Sequence, residues 1–223
     1  MILCIADVLD AAALAAVRES VAEGTFVDGV ASAGWAAREV KKTEQLLSAP
    51  GAVDVRRTVT DALRKNSVFG AAVLPHRILA PQFLRYGSGM RYGTHVDNAL
   101  MGEGEDRLRT DVSVTLFLSS PADYDGGELV IEATGGEESY KLDAGSAVAY
   151  PSTTLHRVNE VTRGTRLVAV TWVQSLIRSG EQREVLFDLE RVRRTLFERD
   201  GKTAEFDLLH KTTANLRRMW AEL

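Results

Sequence analysis

Cysteine is almost absent from this chain. Of its 223 residues only Cys4 carries a thiol, which excludes an internal disulfide framework and fits a reducing cytosol. Long hydrophobic runs are missing as well. No stretch approaches the roughly 20 apolar residues that cross a bilayer, so no membrane partner is expected. Nor is there an excess of positive charge. The 27 basic and 31 acidic side chains leave a net charge of −4, which excludes the global basic field that nucleic acid or an anionic membrane would select. Near the start stand Asp7 and Asp10 where a secretory signal would place lysine or arginine. The alanine-rich run 11–17 therefore reads as helix, and the expected compartment is the cytoplasm. Repeats, low-complexity tracts and Pro/Gly/Ser-rich linkers are also lacking. What is present, 45% hydrophobic and 26% charged residues, is ordinary for a soluble globular protein of one domain with an appendage.

Patterning divides the chain into three zones. Residues 1 to about 80 read as α/β: a helix from Asp7 or Asp10 to Glu23, extended pieces around Phe26 and over Arg38–Val40, and a helix near Val53–Lys65. Val55, Val59, Ala62 and Leu63 fall on one stripe of that second helix, as a core-facing helix requires. From 81 to 174 the signal changes to strands, at Gln82–Tyr86, Gly93–Asn98, Asp111–Leu118, Glu128–Ile131, Ser139–Leu142, Ser146–Tyr150, Leu155–Val158 and Arg166–Val173. These runs are rich in β-branched and aromatic residues and are separated by turns such as Asp125-Gly126-Gly127. Eight short strands at this rhythm predict a jelly-roll barrel or sandwich that can enclose a small ligand. After Ser179 the chain turns helical and charged. One stripe runs through Val185, Leu186, Leu189, Val192 and Leu196, a second through Leu209, Leu216, Trp220 and Leu223. The expectation is a mostly β domain over 1–178 followed by a two-helix extension over 179–223. That extension caps the barrel and offers a contact for a homo-oligomer.

Within the strand zone one constellation carries chemistry. His95 and Asp97 are two positions apart, so on a strand both side chains face the same way. His156 follows His95 by 61 positions and Arg166 follows His156 by 10. Two imidazoles and one carboxylate on one side of an ion leave its other side open, which suits non-haem Fe(II) oxygen chemistry. The other two of the four histidines, His76 and His210, read as structural or surface residues. Arg166 opens an otherwise apolar strand. It either ends in solvent or turns its guanidinium inward to grip a carboxylate. Tyr86, nine positions before His95, is either a second donor to that carboxylate or a packed core tyrosine.

These segments together resemble the PKHD-type hydroxylases, relatives of the prolyl 4-hydroxylase group of Fe(II)/2-oxoglutarate dioxygenases. The resemblance covers nearly the whole length. It runs through 26–29, 80–86, Tyr92-Gly93-Thr94-His95-Val96-Asp97, 109–118, Tyr124-Asp125-Gly126-Gly127-Glu128-Leu129, 150–156 and 161–166, with a helical tail from about Gln174. It implies a double-stranded β-helix (jelly-roll) core with an N-terminal α/β segment and a C-terminal helical extension. It implies that His95, Asp97 and His156 are the iron ligands. Arg166 then pairs with the far carboxylate of 2-oxoglutarate, Tyr86 assists it, and Trp172 forms a pocket wall. Related halogenases replace the ligand carboxylate by a small residue; Asp97 is present, so hydroxylation is implied.

The cofactors implied are Fe(II), 2-oxoglutarate and O₂, with L-ascorbate to reset over-oxidised iron. The reaction converts 2-oxoglutarate to succinate and CO₂ while a substrate is hydroxylated. The kinship implies a peptide or amino-acid-like substrate, or a small molecule linked to iron uptake or homeostasis. The segment 98–109, rich in glycine and charge, is expected to be a mobile loop that either selects substrate as a lid or is simply solvated. Three rivals make different predictions. A non-catalytic module sensing iron or 2-oxoglutarate binds without turnover. A cupin-like enzyme has no use for Arg166, and a structural barrel tolerates loss of His95 and Asp97.

Overall fold

The computed structural model describes residues 1–32, 37–49 and 52–223. Among them two antiparallel sheets face each other. The larger has the strand order 3–5, 147–151, 112–117, 166–175, 82–86, 44–48 and 25–28, with 75–78 pairing against the far end of 166–175. The smaller has the order 136–140, 129–133, 156–158, 91–95 and 41–42. This is the expected jelly roll with flanking helices.

Side-chain alternation explains why the larger sheet is buried on both faces. In the strand Val112–Phe117 every residue is buried. Val112, Val114 and Leu116 face outward to a cluster that includes Val17, Val21, Val55, Val59, Leu63 and Phe69. Those residues belong to helices α1 (Ala11–Ala22), α2 (Ala52–Lys65) and α3 (Ser67–Val73). Phe117 faces inward, joining Leu84, Leu129, Ile131, Val148 and Val168 between the sheets. Each fully buried Leu or Phe contributes about 1.5–3 kcal/mol, so the helices and the smaller sheet hold the strand from its two sides.

Local signals set the helix starts. Asp10 accepts the backbone N–H of Ala13 at 2.8 Å, and Asn66 accepts those of Val68 and Phe69, caps that contribute about 1 kcal/mol each. Helices α4 (Gly180–Asp200) and α5 (Ala204–Trp220) start on Ser179 and Thr203, and the turn between them passes through Gly201 at φ 71°.

Four expectations need correction. Arg38–Val40 belongs to a 3₁₀ turn over Ala37–Val40, and extended pairing begins only at Lys41–Lys42, against Arg91–Tyr92. The strand carrying His95 spans Arg91–His95, so Asp97 lies beyond its end. The helical pair packs on α3 through Leu74, Ile177 and Leu186, rather than over the barrel. Its buried stripe on α4 runs through Arg183, Leu186 and Glu190, leaving Val185 and Val192 exposed. Glu190 holds that place because Arg193, Arg194 and Arg217 converge on its carboxylate. No helix among the described residues is long and apolar enough to cross a membrane.

Candidate metal centre

Two neighbouring strands of the smaller sheet bring the histidines together. His156 pairs directly with His95 in the strand register, and their ring centroids lie 4.2 Å apart. Each Nδ1 faces the carbonyl two residues earlier, Gly93 at 2.8 Å and Thr154 at 3.0 Å. A neutral imidazole donating there directs its Nε2 lone pair the other way. Asp97 completes the set from just past the strand end, its Oδ2 3.8 Å from His156 Nε2. One ligand atom from each of the three residues lies within 4.8 Å of the others. Proximity thus comes from a chain turn and not from alternation along one strand.

Electrostatics favour metal binding over protonation. Burial, with His156 alongside, pushes His95 down to about 4, so it presents a lone pair at neutral pH. Tyr92 stacks on its ring at 3.7 Å and 18°; Tyr150 approaches the His156 ring edge-on at 5.1 Å. Burial raises the hydroxyls of Tyr86, Tyr92 and Tyr150, keeping them as neutral donors. The Asp97 carboxylate is oriented by Ser113 Oγ, which donates to Oδ2 at 2.5 Å and shares a 2.7 Å hydrogen bond with Ser152 Oγ. Both serines are 2% exposed, so this relay is dry, as supporting groups of a metal ligand require.

The triad faces a cavity of about 730 Å³ including its mouth, lined also by Tyr86, Tyr150, Arg166 and Trp172. Arg166 and Tyr86 are register partners on adjacent strands of the opposite sheet. The guanidinium carbon lies 5.0 Å from the Tyr86 ring centre and 5.5 Å from that of Phe117. Arg166 is 1% exposed, yet its Nε and Nη1 have no hydrogen-bond partner. A buried cation without acceptors is costly. Aimed into a cavity, it is a seat for an anion.

All five expected site residues therefore border one cavity. Trp172 lines it too, with its indole N–H buried and unpartnered. His76 sits on the strand Pro75–Ile78, and His210 on α5 stacks on Phe206 and accepts from Arg193; neither is near the triad. The segment 98–109 folds as a hairpin, pairing Leu100–Met101 with Leu108–Arg109, and Arg77 donates to the carbonyls of Glu105 and Arg107. Asn98 and Met101 at its base line the cavity mouth. Sequence reasoning missed Ser113, whose signal was a polar residue at the inward positions of an otherwise apolar strand. It also missed Lys41, which is 8% exposed, lines the cavity and feels Asp97; a two-residue edge strand gives no pattern to read.

Comparisons agree with this geometry. The profile of the 2OG-Fe(II) oxygenase superfamily matches residues 81–174. A PKHD-type hydroxylase of Gloeothece citriformis (strain PCC 7424) is 53% identical over 222 residues, covering 100% of both chains. Among solved structures, a Pseudomonas putida prolyl-4-hydroxylase superposes with a TM-score of 0.53 at 20% identity, covering 78% of this chain and 92% of its own. HygX from Streptomyces hygroscopicus, solved with nickel and 2-oxoglutarate bound, gives 0.57 at 14% identity, covering 79% and 84%. The two structural likenesses bear on the fold.

Proposed function

The chain belongs to the PKHD-type hydroxylases, dioxygenases of the 2OG-Fe(II) superfamily, and from that membership we propose how its residues divide the work. His95, Asp97 and His156 hold Fe(II). Arg166, with Tyr86 against it, takes the far carboxylate of 2-oxoglutarate. The observation that carries this reading is the buried guanidinium with two unmet N–H groups on the wall of the triad's own cavity. When bound, iron and 2-oxoglutarate supply oxygen activation coupled to decarboxylation, giving succinate, CO₂ and a hydroxylated substrate.

The chain's own residues supply geometry. The Gly93 and Thr154 carbonyls fix the imidazoles, and Ser113 holds the carboxylate. The apolar walls exclude water. Gly127 keeps the arginine's path open: it sits at φ 66°, and a Cβ there would stand 3.1 Å from Arg166 Cδ. The catalytic unit is 1–178, with 179–223 as an extension whose exposed Val185, Val192 and Phe197 face any homo-oligomer partner. Substrate enters past Val96, Asn98, Met101 and Trp172. It is a peptide-like or small iron-handling molecule, and ascorbate serves as reductant.

The test is an anaerobic titration of purified protein with Fe(II) and 2-oxoglutarate, followed by air. We expect the weak visible charge-transfer band of an iron-chelated 2-oxo acid, succinate on aeration, and loss of both in Asp97→Ala. A band without succinate turns the reading to a sensor. No band in the unaltered protein refutes it.

A further inference from the structure

The link between strands Ala147–Pro151 and His156–Val158 reaches two of the three metal-ligand candidates. Its Thr154 carbonyl faces His156 Nδ1 at 3.0 Å. Its Ser152 hydroxyl lies 2.7 Å from that of Ser113, which donates to Asp97 Oδ2. Counting hydrogens gives the direction of the contact between the two serines. A carboxylate ligand only accepts, and a serine hydroxyl has a single hydrogen to give. Ser113 places its hydrogen on Asp97, so the hydrogen in the 2.7 Å contact comes from Ser152. Two hydroxyls thus point the same way, from the link through Ser113 to the carboxylate, and each donation polarises the next.

The link is anchored at both serines' strands. Ser152 N–H donates to the Asp111 carbonyl at 3.2 Å, directly before the strand that carries Ser113. Asp111 is itself fixed by Arg109, which reaches both carboxylate oxygens at 2.7 and 3.0 Å, and by the Ser175 N–H at 2.9 Å. Within the link, Thr154 bonds back to the Pro151 carbonyl through both its N–H and its hydroxyl. Ser152 is 2% exposed, which shields its hydroxyl from bulk water. A serine that merely filled this space would be served as well by alanine.

We propose that Ser152 is a positioning residue for the metal centre: by donating to Ser113 it commits the Ser113 hydrogen to Asp97, so that one short link sets the carboxylate and the second imidazole together. The inference rests on the reading of His95, Asp97 and His156 as metal ligands.

The test titrates the full chain with Co(II), whose visible bands report affinity and ligand geometry together, beside the melting temperature of the metal-free chain. In Ser152→Ala we expect Co(II) affinity to fall roughly 3- to 10-fold, less than in Ser113→Ala because the group stands one hydrogen bond further out. The bands should shift in the same direction in both variants. The double variant should bind within twofold of Ser113→Ala, since Ser152 acts through Ser113. Affinity and bands unchanged in Ser152→Ala, with only the metal-free melting temperature moved, would make Ser152 a packing residue and refute the proposal. A double variant that adds the full Ser152 loss to that of Ser113 would refute it as well, because the two serines would then act independently. If the unaltered chain binds no Co(II), or Asp97→Ala binds it equally well, the ligand reading itself fails and the proposal with it.

Discussion

Replacing Arg166 by Met sets stability against function at the position where the two conflict most. The guanidinium is 1% exposed, with Nε and Nη1 unbonded. Each unmet buried donor costs about 1–3 kcal/mol. Stacking on Tyr86 and Phe117, at 5.0 and 5.5 Å, returns about 1–2 kcal/mol. Methionine keeps the length of the stem and removes the charge. The ligand-free variant should therefore be more stable, by up to about 5 kcal/mol, the cost of two unmet donors less the stacking it gives up. For a chain of this size each kcal/mol raises Tm by about 2–4 °C.

The ligand response should invert that order. With Mn(II) present and 2-oxoglutarate at 100 times its Kd, the unaltered protein gains about 2.7 kcal/mol; the variant gains almost nothing. Melting curves with and without the two ligands read both effects from one preparation. A variant that melts below the unaltered protein without ligand would show that the fold itself satisfies the guanidinium. A variant that still responds to 2-oxoglutarate would show that the far carboxylate is held elsewhere.

Two further predictions concern the metal side. Ser113→Ala removes the donor to Asp97 Oδ2 and should weaken Mn(II) or Fe(II) binding about 10- to 100-fold, the usual effect of losing a group that orients a ligand. Ser113→Thr should restore most of it, and equal affinity for all three forms would remove Ser113 from the site. The metal-free protein should also lose stability on acidification. His95 titrates near 4 when folded and near 6.5 when unfolded, so between those values the unfolded chain binds the extra proton. The contribution is complete above about pH 6.5 and falls as pH drops towards 4, by up to about 3 kcal/mol. Urea midpoints across that window check it, and His95→Gln should flatten the profile. A slope unchanged by that substitution would contradict the assigned cause.

The barrel was legible because its strands obey alternation and its turns obey glycine chemistry. All eight expected strands exist, most within two residues of their expected ends. What escaped was short or edge-placed. Helix Ser67–Val73 is seven residues long with Gly70 inside it, too brief for a 3.6-residue period to register, although Asn66 stood where a cap belongs. Strands Leu3–Ile5, Glu44–Ser48 and Pro75–Ile78 acquire their conformation from the neighbours they pair with. On α4 the helical period was right and its phase was wrong. Glu190 lies on the buried side because three arginines from two helices neutralise it, and an apolar-stripe rule gives a glutamate no such place.

The same physics separates the visible from the hidden parts of the site. His95, Asp97 and His156 stood out because their residue types and spacing suit a metal-ligand set, and Arg166 because it opens an otherwise apolar strand. Ser113 and Lys41 did not, because what makes them unusual is a partner far away in sequence, Asp97. A fold selected for stability alone would have no reason to keep a guanidinium in the dry interior with Nε and Nη1 unbonded. Two unmet donors of one buried cation, on the wall of the cavity that holds the metal-ligand cluster, are best understood as one half of a contact, and the missing half must bring the acceptors.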